Sequence, residues 1–218
     1  MFKKLGDKLF YRGGFFHPTR GLKLNWENDF KQAVKEHKLI LNIGAGQHDK
    51  TGTISIDPAY DTEDATHLKA LGEDLPYPDN NVDMVVCGAV LEHVQSPAKI
   101  VKEIHRVLKV GGTMYVDIPF LYPFHKAPSD YNRLTQEGLD YLCRDFVKIE
   151  SGMSMGTHSA LAQIIVFYFQ NLSGSPFLNK ILKNAAKVAV SPLKYLDQVF
   201  PGTPILAGGF YFYGKKNK

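Results

Sequence analysis

Three sets of residues in this chain of 218 have types and spacings that chemistry uses. Gly44-Ala45-Gly46 forms a turn through which backbone can approach a ligand where a Cβ would clash. Asp57 follows it and offers two acceptor oxygens that suit the vicinal hydroxyls of a ribose. Together they describe a nucleoside site. The second set is His93 and His125, because histidine is the residue type that most readily moves a proton near neutral pH and so suits general-base work. His93 belongs to a Glu92-His93 pair with metal-ligand chemistry, but three residues before Glu92 stands Ala89, so the fuller acidic cluster is missing and no metal is expected. The third set is Asp130, Tyr131 and Arg133, which read either as an ion pair and hydrogen-bond group holding a loop or as substrate contacts. Thr135 reads as the cap of a following helix.

Spacing argues against a dinucleotide. That fingerprint asks for a third glycine three residues after the second and an acid about 20 residues further on. Here the third position is Asp49, which would repel a pyrophosphate, and Asp57 comes too soon. The stretch from Gly46 to Gly52 is also too short for a crossover helix whose N-terminus would hold phosphates. The ligand implied is a nucleoside without phosphates, and a nicotinamide-dependent oxidoreductase is the disfavoured alternative.

These residues need strands to carry them. Leu39–Ile43 is a continuous apolar run ending at Gly44, Thr53–Ile56 ends at Asp57, Val82–Val86 runs into Cys87-Gly88, and Thr113–Ile118 ends at Pro119. Helices are expected over Trp26–Lys38 and over Lys99–Lys109. The second has Ile100, Val101, Ile104, Val107 and Leu108 on one side, and Gly111-Gly112 is read as its stop. Strands alternating with helices predict a parallel α/β sheet, in which ligands sit outside the C-terminal strand ends. Residues 1–25 read as a short basic helix and an irregular arm. Later, Ala160–Leu172 reads as an apolar helix or strand, and Phe210–Tyr213 as the last strand. Phe177–Val190 reads as an amphipathic helix with Phe177, Leu178, Ile181, Leu182, Ala185 and Val188 set against Lys180, Lys183 and Lys187. That helix is expected to cover the sheet, with a peripheral membrane contact as the sharper alternative.

Composition bounds the rest. At 44% hydrophobic and 22% charged the chain has ordinary globular usage, which excludes disorder, collagen and coiled coil. A net charge of +4 is too small to argue for nucleic acid. Cys87 and Cys143 sit in no disulfide or zinc spacing, which fits reduced thiols in the cytoplasm. No signal peptide or membrane span is expected.

The ordered run Leu75-Pro-Tyr-Pro-Asp-Asn-Asn-Val-Asp-Met-Val-Val86, then Val90-Leu-Glu-His-Val94, then Lys102-Glu-Ile-His-Arg-Val-Leu-Lys-Val-Gly-Gly112 resembles the class I S-adenosylmethionine-dependent methyltransferases, in their small bacterial methyltransferase-domain (type 11) form. The resemblance extends from about Leu39 to Ile118. Pro119 through His125, Asp130-Tyr-x-Arg133-x-Thr135 and Gly209-Phe-Tyr-Phe-Tyr-Gly214 are similar to a subgroup linked to bacterial glycan and polysaccharide pathways. The family implies a Rossmann-like doubly wound α/β fold, a mostly parallel seven-stranded sheet with helices on both faces. It implies one domain over 1–218, with a helical arm (1–37), a cofactor-binding core (38–150) and a helical cover with the last strand (151–218).

S-adenosylmethionine is the implied cofactor, and the expected reaction is methyl transfer to a hydroxyl of a small molecule or glycan, by a monomer or homodimer. Carried over to these positions, Gly44, Ala45 and Gly46 line the methionine and ribose, Asp57 takes the ribose hydroxyls, and Cys87 and Gly88 approach the cofactor. The acid that meets the adenine amino group is Asp64 in one version of the motif, and Glu73 or Asp74 in another. His125 lies in the loop that faces the acceptor, and His93 lies under the cofactor or acts as base. The chain departs from the pattern at His48, where the family has a third glycine, and in lacking a helix between the first two strands. A cofactor-binding module without transfer is therefore the alternative of a different class.

Overall fold

The computed structural model describes residues 22, 25–46, 50–61, 64–126, 128–200 and 202–217. The basic arm and the loop positions His48 and Asp49 lie outside the described residues. The chain divides into two compact units. Among the described residues, one is drawn from within 25–119, 125–152 and 210–217, the other from residue 22 and from within 120–124 and 153–209.

Seven strands form one sheet: β1 (Ile40–Ile43), β2 (Ile54–Ile56), β3 (His67–Leu68), β4 (Val82–Gly88), β5 (Leu108–Pro119), β6 (Phe146–Met155) and β7 (Gly209–Lys216). Their order is β3-β2-β1-β4-β5-β7-β6. β1 pairs in parallel with β2 and β4, β2 with β3, and β4 with β5. The sheet is mostly parallel with some antiparallel strands, the Rossmann-like arrangement anticipated. All four residues of β1 are buried, as a strand covered on both faces requires. Parallel pairing in this order gathers the C-terminal ends of β1, β2, β4 and β5 on one side of the sheet.

The first helix, α1 (Trp26–Lys35), lays Trp26 and Ala33 into a cluster with Ile40, Met84, Val86, Tyr115, Tyr211 and Tyr213. Its indole stacks on Tyr115 with ring centroids 4.0 Å apart. In α2 (Pro97–Val107), Ile100, Val101, Ile104 and Val107 are buried, which is the stripe the sequence shows. Its end differs from expectation. Leu108 turns to extended backbone, β5 begins there, and Gly111 and Gly112 lie inside the strand. Gly111 is left-handed (φ +85°), and the β4–β5 register slips between Val82/Leu108 and Met84/Thr113, a bulge. What ends the helix is tertiary: the buried Lys216 of β7 donates from Nζ to the carbonyls of His105 (2.7 Å) and Leu108 (2.9 Å). α3 (Gln136–Leu142) starts where expected, with Thr135 Oγ1 accepting from the Gly138 N–H at 3.1 Å.

The other unit is helical: α4 (Thr157–Gln170), α5 (Pro176–Val190) and α6 (Leu193–Leu196). Ala162 and Val166 of α4 pack on Ala186 and Val190 of α5. The expected stripe of α5 is not the buried one, since Phe177, Leu178, Ile181, Ala185 and Val188 are exposed. The alanines at 162 and 186 admit close helix approach, and that contact selects the buried face. Among the described residues, no helix is long and apolar enough to cross a membrane.

Candidate active site

Gly44 ends β1 in a left-handed conformation (φ +65°), its N–H donating to the Ile56 carbonyl at 2.7 Å. A Cβ there would lie 2.3 Å from Val90 Cγ2, so two separate constraints require glycine. Gly46 is also left-handed (φ +55°), but among the described residues a Cβ on it would meet nothing within 4 Å. No described side chain therefore covers its backbone at the strand ends. Asp57, just past β2, closes the turn: Oδ2 accepts the Gly46 N–H and Oδ1 the Ala59 N–H, both at 2.8 Å. A carboxylate oxygen has two lone pairs, so each retains capacity for a ligand hydroxyl. Ala45 between the glycines is buried.

The two candidate positions for the next acid differ in their surroundings. Asp64 is exposed and turned onto its own loop, accepting from the Thr66 N–H (2.7 Å) and the His67 N–H (2.9 Å). Those bonds, the Thr66 backbone first, hold its carboxyl well below the usual carboxylate range. Glu73 and Asp74 follow Gly72, whose Cβ would come 3.0 Å from Ile43 Cγ2. Their turn thus sits against the last residue of β1, beside the Gly44 loop. Leu75 anchors it from below, with its N–H given to Glu103 Oε1 at 2.8 Å.

At the end of β4, Cys87 is wholly buried, and that burial pushes its thiol up. Gly88 is followed by Ala89, a left-handed non-glycine (φ +55°). Asp117 of β5 secures this turn: Oδ1 accepts the Ala89 N–H at 2.9 Å and Oδ2 the Tyr115 hydroxyl at 2.7 Å. Sequence reasoning did not single out Asp117. The available signal is one acid near the C-terminal end of an otherwise apolar strand.

Val90, packed on Gly44, leads directly into a 3-10 turn, Leu91–His93, where Glu92 is 0% exposed. Among the described residues no other residue hydrogen-bonds either carboxylate oxygen of Glu92, and burial raises its carboxyl to about 7. His93 Nε2 lies 3.6 Å from Glu92 Oε1, while His93 Nδ1 donates to the Ser129 carbonyl. The His125 ring stands edge-on to His93 with centroids 5.0 Å apart. The loop carrying His125 is tied down at several points. Tyr131 N–H donates to the Glu92 carbonyl (2.7 Å), and Asn132 Nδ2 to the Val94 carbonyl (2.6 Å). Asp130 Oδ2 accepts the His125 N–H (2.9 Å) and Arg133 Nη2 (2.7 Å), with a second bond between Arg133 Nη1 and Asp130 Oδ1. Arg133 holds the Asp130 carboxyl down at about 2. Asp130 and Arg133 thus make the loop-fixing pair, and the Tyr131 side chain is exposed. The sequence places Glu92 only as the neighbour of His93; burial gives it a different standing.

Residues 54–116 match the model of the family described as "Methyltransferase domain". An uncharacterized protein of Methanocaldococcus jannaschii is 32% identical over 100 residues, covering 40% of this chain and 49% of that protein. The thiol S-methyltransferase TMT1B of Rattus norvegicus is 47% identical over 49 residues, covering 22% of this chain and 20% of its own length. The chain therefore spans half or less of these curated relatives. In fold it is similar to a Haemonchus contortus phosphoethanolamine N-methyltransferase 2 solved with S-adenosylhomocysteine, at a TM-score of 0.53 and 15% identity, covering 88% of this chain and 53% of that one.

Proposed function

We propose, from the match of residues 54–116 to the methyltransferase-domain family, that the chain binds S-adenosylmethionine at the ends of β1 and β2 and methylates a hydroxyl of a small-molecule or sugar acceptor. One observation carries the reading. Gly46 is left-handed, its N–H is held by Asp57, and among the described residues no atom stands where a Cβ would go. That fits a ligand pressed against backbone.

Gly44, Ala45 and Gly46 would hold the methionine and ribose, Asp57 the ribose hydroxyls, and Cys87-Gly88 the β4 side. Glu73 or Asp74 is favoured for the adenine, because their turn borders β1 while Asp64 is occupied by its own loop. When bound, the cofactor supplies a sulfonium methyl that is already electrophilic. The protein's share is placement of the nucleophile and exclusion of water. A hydroxyl must also give up a proton. His93 offers Nε2 for it, because Nδ1 already donates to the Ser129 carbonyl, and His125 stands beside it. The two histidines support a hydroxyl acceptor, and the motif after Pro119 supports a glycan.

Calorimetric titration with S-adenosylhomocysteine and with NAD tests the cofactor, and transfer of labelled methyl to hydroxyl, thiol and amine panels tests the acceptor. Binding of the first ligand alone, with label on hydroxyls, is expected. NAD binding overturns the family chemistry, and label confined to thiols replaces the acceptor class.

A further inference from the structure

Glu92, His93 and His125 each present a ligand atom, and these atoms lie within 4.8 Å of one another. We propose that the three side chains form a site for a divalent transition cation of the zinc type, with coordination positions left open on the metal.

Three independent features converge on this. The first is the Glu92 carboxylate, which is wholly buried and, among the described residues, has neither oxygen hydrogen-bonded by another residue, an arrangement that proteins rarely leave uncompensated. The second is the tautomer of His93. A backbone carbonyl can only accept, so the Ser129 bond fixes the proton on Nδ1 and points the Nε2 lone pair at Glu92 Oε1. With Glu92 ionised, two acceptors then face each other at 3.6 Å, too far for a hydrogen bond, and a positive centre between them would compensate both. Ligands at about 2.1 Å from a common tetrahedral ion stand about 3.4 Å apart, so the observed separation is close to an edge of such a site. The third is outer support. A carbonyl on the second nitrogen of His93, and an Arg133-anchored Asp130 beside His125 (Nδ1 to Oδ2 3.7 Å), are the contacts that orient metal-binding imidazoles.

Two imidazoles and one carboxylate are donors that suit zinc and its neighbours rather than magnesium or calcium. The sequence points away from an ion because position 89 is alanine, and the fold recruits the third ligand from a different loop. An ion there would occupy the His93 Nε2 lone pair and so take the place of the histidine base: it would bind an acceptor's oxygen or sulfur in an open position and lower its pKa, which serves the same transfer. That role rests on the methyltransferase reading, whereas the binding itself does not.

Protein stripped with chelator is titrated with Co2+ followed by absorbance, and with Zn2+ followed by melting temperature. One Co2+ per chain with visible bands of a low-coordinate site is expected, together with a rise in melting temperature on adding Zn2+. His125→Ala should weaken both responses at least tenfold. Glu92→Gln should melt higher than wild type without metal, since it removes a buried unpaired carboxylate, yet lose the response to Zn2+. Absence of stoichiometric binding, or wild-type binding by either variant, overturns the site. S-adenosylhomocysteine is titrated into the same metal-free protein. Nucleoside binding without metal binding leaves the methyltransferase reading standing and refutes the metal site. Metal binding without nucleoside binding keeps the metal site and refutes the methyltransferase reading.

Discussion

At the scale of single residues, the two glycines of the first loop serve different ends. Gly44 is confined by Val90, so Gly44→Ala adds a steric overlap to a left-handed backbone that costs about 1–2 kcal/mol by itself. We expect it to lower the melting temperature clearly in a thermal scan. Gly46→Ala carries only the backbone cost, since among the described residues nothing stands where its Cβ would go. It should fold with a small loss of stability and yet bind S-adenosylhomocysteine at least tenfold more weakly by calorimetry, because the new methyl occupies the ligand's space. Equal affinity in Gly46→Ala and wild type would remove this loop from the cofactor site.

At the scale of elements, α2 and β7 are joined by a buried cation. Lys216 caps the last carbonyls of α2 and also donates to Asn80 Oδ1 at 2.8 Å. Lys216→Met keeps the stem and removes the donors. Urea unfolding should show a loss of about 2–4 kcal/mol, as expected when several buried acceptors lose a charged partner. On the same helix, Arg106 binds Glu103 through Nε (2.9 Å) and Nη2 (2.6 Å) and reaches the Tyr77 carbonyl (2.8 Å), fastening the loop before β4. The Arg106 guanidinium holds the Glu103 carboxyl below the ordinary carboxylate range. A depressed carboxyl stabilises the fold fully above its unfolded value of about 4.3, and that contribution fades as pH falls through the lower folded value. The stability gap between wild type and Glu103→Gln, about 1–3 kcal/mol at pH 7, should therefore shrink steadily in denaturant titrations from pH 5 towards pH 3.

At the scale of the whole molecule, a ligand that binds only the folded state stabilises by mass action. S-adenosylhomocysteine at about a hundred times its Kd adds about 2.7 kcal/mol. For a chain of this size that shift is about 5–10 °C in melting temperature. NAD at the same concentration should leave the transition where it is. The sheet-bearing unit contains the whole candidate site, so hydrogen exchange on adding the nucleoside should slow first at the amides of Gly44, Gly46 and Ala89. Protection confined to α4 and α5 would place the ligand elsewhere.

Much of this was present in the linear sequence. Apolar runs ending in Gly44, Asp57 and Cys87 determined which residues stand at strand ends, because a strand buried on both faces must be continuously apolar and its C-terminal end carries the loop. The period of Ile100, Val101, Ile104 and Val107 likewise determined the buried face of α2. Contacts between distant segments decided the rest. The end of α2 depended on a lysine from the last strand, and the inward face of α5 on two alanines in different helices. The short β3 and the long β6 lack the apolar continuity that marks a strand. Asp117 gained its part only when β5 lay beside β4. Glu92 reads in sequence only as the neighbour of His93 in a Glu-His pair, and only packing could bury it facing His93 and bring His125 to its side.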